Sequence, residues 1–142
     1  MNRRTALKAT LLTALSTLMA QAYDKKLIVN TAEVKMKDPA HPTKGELKHT
    51  PEITVGDKDA KGYTLVEVNI GQQGIIHPST AKHWIYEIEL FADGHKVSSV
   101  SLEPETSRGY LAARVNLGDV KELTANSKCN LHGMYTAMLK LS

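Results

Sequence analysis

Cysteine is almost missing from this chain: Cys129 is the only one in 142 residues. That excludes an intramolecular disulfide and any site built from four cysteines. No acidic residue occurs before Asp24, whereas Arg3, Arg4 and Lys8 all lie there. These three account for the whole formal charge of +3, because the other 15 basic residues balance 15 acidic ones. A neutral remainder offers no global field for nucleic-acid phosphates, so no nucleic-acid partner is expected. Long apolar runs are also lacking. The longest uncharged apolar stretch, Ala9 to Ala20, falls short of the ~20 residues that span a bilayer. There is no internal repeat, and no stripe of apolar residues at helical spacing after residue 22. With 42% apolar and 23% charged residues the composition is that of an ordinary folded domain. A chain of this length buries roughly two-thirds of its unfolded surface and needs no staples.

The first 22 residues have the order of an export signal: basic residues, the apolar run, then Ala20-Gln21-Ala22 as a small-x-small cleavage site. Asn2 to Lys8 resembles a twin-arginine signal, with Ala6 where a bulky residue is usual. An ordinary secretory signal with two adjacent arginines is the alternative. The expected product, residues 23–142, is one exported, periplasmic domain with no membrane association after cleavage.

Within that domain, Val66 to Ile70 alternates, and so does His83 to Leu90, with Trp84, Tyr86, Ile88 and Leu90 on one face. Asp93-Gly94 predicts a hairpin turn, since both central positions of a type I′ turn need positive φ. Val97 to Leu102, Tyr110 to Val115 and Met134 to Leu141 read as further strands, and Lys35 to Leu47 as a surface loop. About seven short strands predict an all-β, immunoglobulin-like β-sandwich.

Four histidines and the cysteine stand out. His49 lies in Lys48-His49-Thr50-Pro51. His77 and His83 are six residues apart, with Trp84 next. Cys129-Asn130-Leu131-His132-Gly133 precedes the last strand. Imidazole and thiolate both ligate first-row metals. Taken singly, a histidine is more often a surface or core residue, and a buried cysteine usually just packs. Their combination points to a metal. His41 and His95 read as solvated surface residues outside the site.

The ordered motifs Lys-His-x-Pro, His-x5-His-aromatic and Cys-Asn-x-His-Gly resemble superoxide reductases of the desulfoferrodoxin and neelaredoxin type. The resemblance runs from about Lys48 to the C-terminus, and includes the strand Ile85 to Leu90 and the Asp-Gly hairpin. It implies a seven-stranded immunoglobulin-like sandwich holding one mononuclear non-haem iron. His49, His77, His83 and His132 would be equatorial ligands and Cys129 the axial thiolate, with the sixth position open. The implied reaction is one-electron reduction of superoxide to hydrogen peroxide, with Fe(II) restored by an external donor. Lys48 would sit by the open position and attract the anion. Homo-oligomers through sheet edges are also implied.

Two departures accompany the resemblance. Many relatives place glutamate before that lysine; here Leu47 stands there, and Glu46 is one residue off, pointing away if the segment is extended. Water or hydroxide is then expected at the ferric sixth position. The four-cysteine N-terminal module of some relatives is excluded by the single cysteine. Two other readings compete. A copper electron carrier would use Cys129, His132 and Met138 but leave the other histidine motifs idle. A non-catalytic carrier of the same fold, working in sulfur-compound oxidation, would have no use for all five ligands.

Overall fold

The computed structural model describes residues 23–142, so the expected leader and its cleavage site lie outside the described residues. Seven strands form two antiparallel sheets: β1 (Pro51–Lys58), β2 (Thr64–Ile70) and β5 (Tyr110–Val115) in the order β1-β2-β5, and β4 (His95–Ser101), β3 (Ile85–Ala92), β6 (Glu122–Cys129) and β7 (Gly133–Lys140) in the order β4-β3-β6-β7. This is the expected all-β sandwich. Among the described residues, no helix is long and apolar enough to cross a membrane.

The core lies between the inner faces of the sheets. Val66, Val68 and Ile70 of β2 and Leu111 and Val115 of β5 meet Ile88, Leu90 and Ala92 of β3 and Leu123 and Ala125 of β6. Each buried valine, leucine or isoleucine side chain contributes roughly 1.5–3 kcal/mol. Strict alternation along β2 and β6 puts every second residue inside. The β3–β4 hairpin turns at Asp93 and Gly94, whose φ values of 46° and 81° fit the predicted turn. The Asp93 carboxylate also accepts N–H bonds from Lys121 and Glu122, tying the hairpin to the start of β6.

Three expectations need correcting. The segment Lys35 to Leu47 is not all loop: it ends in a short helix, α1 (Lys44–His49), that carries the Lys-His motif. Thr43 and Glu46 form a reciprocal capping box that starts it, and six residues are too few to show a helical stripe. The strand His83 to Leu90 begins only at Ile85, and its pairing with β6 slips between Ile85 and Glu87. That bulge brings Ile85 to the same interior as Ile88, leaves Tyr86 half-buried, and turns Trp84 away from the main core toward Tyr23, 5.2 Å between ring centres. Two strands, β1 and β6, are additional to those read from the pattern.

Before α1 the chain runs along the start of β7. Val34 donates to the carbonyl of Met134, and Met134 to that of Ala32, both at 2.8 Å. Gly133 is where this arm crosses: its φ is +90°, and a Cβ there would meet the Ala32 carbonyl oxygen at 2.4 Å. The glycine of the last motif is thus required by backbone conformation and by space.

Candidate metal centre

The strand register brings the candidate ligands to one end of the sandwich. Pro51, two residues after His49, pairs with Ile70, where the loop carrying His77 and His83 begins. Ile85, where that loop ends, pairs with Cys129, and Cys129 pairs with Gly133 across the turn that holds His132. Cross-links then fix these segments together. The Ser127 hydroxyl donates to the His49 carbonyl, fastening the end of α1 to β6. Gln72 N–H donates to the Leu47 carbonyl at 2.9 Å, and His77 N–H to that of Ile70 at 3.0 Å. Buried Asn130 binds three segments at once: its amide donates to Leu27 and Lys82 carbonyls, and its oxygen accepts from Trp84 N–H. Asn130 already stood within the Cys-Asn-x-His-Gly motif, and the structure explains it as the knot between two ligand-bearing turns and the N-terminal arm.

The four histidine rings form a closed circuit. In the order His49, His77, His83, His132 and back to His49, neighbouring ring centres are 4.7, 4.6, 4.9 and 4.7 Å apart. Each pair is near perpendicular, at 69–77°. The donor atoms of His49, His83, Cys129 and His132 all lie within 4.8 Å of one another. Donors held at roughly 2.0–2.3 Å by a first-row ion can be no more than about 4.6 Å apart, so little contraction is needed. His77 falls outside that mutual set but completes the ring circuit.

Hydrogen bonding shows which nitrogens are free. His49 Nδ1 is 2.6 Å from the Gly45 carbonyl oxygen and His77 Nδ1 is 2.7 Å from that of Pro78. A carbonyl can only accept, so both Nδ1 atoms carry the proton and both Nε2 atoms keep a lone pair. The Nε2 atoms of His49, His77 and His83 are buried without any hydrogen-bond partner. Leaving a buried polar atom unpaired costs about 1–3 kcal/mol, and three such atoms in one ring circuit make sense if a cation satisfies them. Carbonyls behind the ring nitrogens are the usual orientation device for metal-bound histidines. The residues therefore fit a metal.

Burial lowers the pKa of His49 to about 4 and that of His77 to about 3, with the neighbouring histidines adding to the effect. His83 is lowered for the same reasons. The Lys48 ammonium also opposes protonation of His49 and His83, placing its charge beside the circuit. Burial raises the Cys129 thiol, partly opposed by hydrogen bonds from the Leu131 and His132 backbone. A pH dependence follows for the metal-free protein. Below the ordinary histidine value of 6.5 the unfolded chain takes up protons that native His49 and His77 refuse, so stability is full above pH 7 and falls as pH drops toward 4. Urea midpoints of the metal-free protein should fall steadily over that interval; a constant midpoint would mean that the rings are solvated.

Other candidates fall into place. His41 and His95 are exposed, and His41 pairs with Asp38. Met138 pairs with Thr124, five residues along β6 from Cys129 and so roughly 17 Å away at about 3.4 Å per residue. The copper set of Cys129, His132 and Met138 is not brought together. Glu46 is no ligand either, for a reason other than an extended loop: its carboxylate caps α1, accepting from Thr43 N–H at 2.7 Å. Leu47 is buried. One neighbour had no signal in the sequence: the ring of Tyr135 stacks on His49, with centres 4.8 Å apart and planes 19° from parallel.

Comparison with known proteins agrees with this picture. The chain matches the desulfoferrodoxin family over residues 28–138. A curated desulfoferrodoxin from Nitratidesulfovibrio vulgaris is 32% identical over 90 residues, 63% of this chain and 61% of that protein. The chain thus spans less than two-thirds of that relative's length. Among solved structures, a one-iron superoxide reductase from Giardia intestinalis is 28% identical with a TM-score of 0.57, covering 66% of this chain and 98% of that one. A superoxide reductase (neelaredoxin) from Ignicoccus hospitalis is 28% identical with a TM-score of 0.51, covering 66% and 80%.

Proposed function

Since the chain belongs to the desulfoferrodoxin family, we propose that it is a one-iron superoxide reductase, with His49, His77, His83, His132 and Cys129 as the protein ligands. The observation that carries this reading is the circuit of four imidazoles, three with orphaned Nε2 atoms, beside a single buried cysteine.

When bound there, iron supplies a centre that gives up one electron to an acceptor from solution. The remaining work belongs to the chain. The Gly45 and Pro78 carbonyls hold His49 and His77 in the tautomer with a free Nε2. The backbone hydrogen bonds from Leu131 and His132 favour the Cys129 thiolate against the effect of burial, and a coordinating cation deprotonates the thiol outright. Thiolate donation favours electron release. Half-buried Lys48, next to ligand His49, attracts the superoxide anion and offsets the negative charge that grows as it is reduced. Each superoxide takes one electron and two protons to become hydrogen peroxide.

The reading is tested by metal analysis together with stopped-flow mixing of the reduced protein and superoxide. One iron per chain and rapid oxidation are expected; a protein that takes up iron yet does not react would overturn it. Lys48→Ala should keep the iron spectrum and slow this reaction about tenfold or more, within the 10–10³ range of electrostatic steering. The wild-type rate should fall with added salt, because a Debye length of about 8 Å at physiological ionic strength screens an exposed charge, and the variant should respond less. Equal rates at low salt would remove Lys48 from the mechanism.

The proposed location is the periplasm or another exported compartment, supported by the basic, apolar and Ala-x-Ala order of residues 1–22. Mass spectrometry of the native protein should find Tyr23 at the N-terminus; intact Met1 on cytosolic protein would count against export.

A further inference from the structure

No residue from Tyr23 to Val34 is buried, so burial of apolar surface does not hold this N-terminal arm in place. Its hydrogen bonds nevertheless converge on two ligand-bearing turns. The Asn130 amide donates to the Leu27 carbonyl at 3.1 Å and to that of Lys82, beside His83, at 2.9 Å. Val29 N–H donates back to the Asn130 carbonyl at 2.9 Å, and Met134 N–H, two residues past His132, donates to that of Ala32 at 2.8 Å. Asn130 has no exposure to solvent. If the arm lifted, the Asn130 amide would lose a partner between the turn of His83 and the turn of Cys129 and His132. Either a buried polar group is then left unpaired, or water enters between the two turns.

An exposed arm of this kind frays unless something ties it down. Here the tie is aromatic. The Tyr23 ring meets Trp84 edge-on, with 5.2 Å between centres and 71° between planes, and lies 6.5 Å from the Tyr86 ring. Edge-to-face contact is an arrangement that ring quadrupoles favour. Trp84 directly follows His83 and is wholly buried. Its indole N–H donates to the Leu102 carbonyl at 3.1 Å and its backbone N–H to the Asn130 side chain at 2.9 Å. Asp24 then caps a single 3-10 turn, Lys25–Leu27, with its carboxylate accepting from Lys26 N–H. That turn joins the aromatic anchor to the Leu27 carbonyl that Asn130 uses.

We propose that the arm is a latch coupled to the metal, and that Tyr23, seated on Trp84, is a positioning residue that holds the turns of His83, Cys129 and His132 together. The inference rests on the proposed ligand set. Coupling between two sites is reciprocal, so a metal held better with the arm seated must itself seat the arm more firmly. A segment that only added stability to the sandwich would not respond to metal in this way.

The variants are Tyr23→Ala and Tyr23→Phe, neither of which touches a ligand. Iron-loaded Tyr23→Ala should lose its metal to a chelator about tenfold faster or more, within the 10–100-fold range for groups that support a ligand. Tyr23→Phe should release iron at close to the wild-type rate, because the ring and not the hydroxyl makes the contact. The ferric–thiolate absorption should shift in Tyr23→Ala and keep its position in Tyr23→Phe. Trp84 is the only tryptophan, so its fluorescence in zinc-loaded protein reports the latch directly. Emission from Tyr23→Ala should move to the red as water reaches the indole. In the wild type, adding zinc to metal-free protein should slow amide exchange at Val29 and Met134, and in Tyr23→Ala it should do so less. Wild-type iron release from Tyr23→Ala, or exchange at Val29 that ignores zinc, would overturn the proposal. So would Tyr23→Phe behaving like Tyr23→Ala, because the ring contact would then not be the anchor. A protein that shows these responses yet does not react with superoxide would strike the proposed reaction and leave the latch standing.

Discussion

Cys129→Ser protein is expected to fold, to hold metal more weakly through its histidines, and to lose both the visible ferric–thiolate absorption and most of its reaction with superoxide. Cys129 ends β6 at the base of the ring circuit, with Sγ 3.6 Å from His132 Nδ1 and no exposure to solvent. Serine matches its shape, and the Leu131 and His132 backbone groups near the sulfur can hydrogen-bond to an oxygen instead. The lost element is the polarisable anion that pushes electron density toward the metal. Loss of a residue that merely supports a ligand typically costs 10–100-fold in affinity or activity, so losing the ligand itself should slow the superoxide reaction by about a hundredfold or more. Absorption and stopped-flow measurements on the iron-loaded variant check this. A visible spectrum identical to wild type would remove Cys129 from the ligand set, and with it the proposed chemistry.

Gly71→Ala should be nearly as damaging, although Gly71 ligates nothing. It lies where the His77 loop leaves β2 and passes the end of α1. A Cβ there would sit 2.5 Å from the Leu47 carbonyl oxygen, 2.6 Å from that of Ile75 and 2.8 Å from that of Lys48. All three are backbone atoms and cannot swing aside as a side chain would. One methyl group therefore pushes the segment bearing Lys48 and His49 away from the one bearing His77, stretching the 2.9 Å hydrogen bond from Gln72 to Leu47. Overpacking of this kind costs about 1–3 kcal/mol in stability. Separating two ligand segments should also weaken iron binding by roughly 10–100-fold, the range seen when supporting groups are disturbed. Chelator competition would measure the affinity, with urea unfolding of the metal-free protein alongside. Wild-type iron affinity in Gly71→Ala would show that the two segments are not held in register at this point.

The sequence by itself determined the sandwich, the hairpin and the ligand types, because each is written in local pattern. Alternation in Val66 to Ile70 marks β2, and Asp93-Gly94 marks the β3–β4 turn by the φ values that turn requires. The histidine and cysteine motifs name donor chemistry whatever fold they occur in. Two strands escaped that reading for opposite reasons. β6 does alternate, but its inward residues include Ala125 and Ser127 as well as Leu123 and Cys129, and Ser127 is turned inward to hold the His49 carbonyl. β1 is an edge strand with mostly exposed residues, so little apolar contrast remains. Helix α1 is too short for periodicity and rests on its capping box. The Ile85 bulge reverses the expected face of Tyr86 because pairing with β6, not local preference, sets the register. What only the tertiary structure decided is distance between residues far apart in the chain. His49 and His132, 83 positions apart, become ring neighbours because the start of β1, the end of β6 and the turn before β7 lie on the same side of one core. Tyr135 against His49 and Gly71 beneath Leu47 follow from the same packing, in which the contacts are set by strand pairing and not by neighbours in sequence.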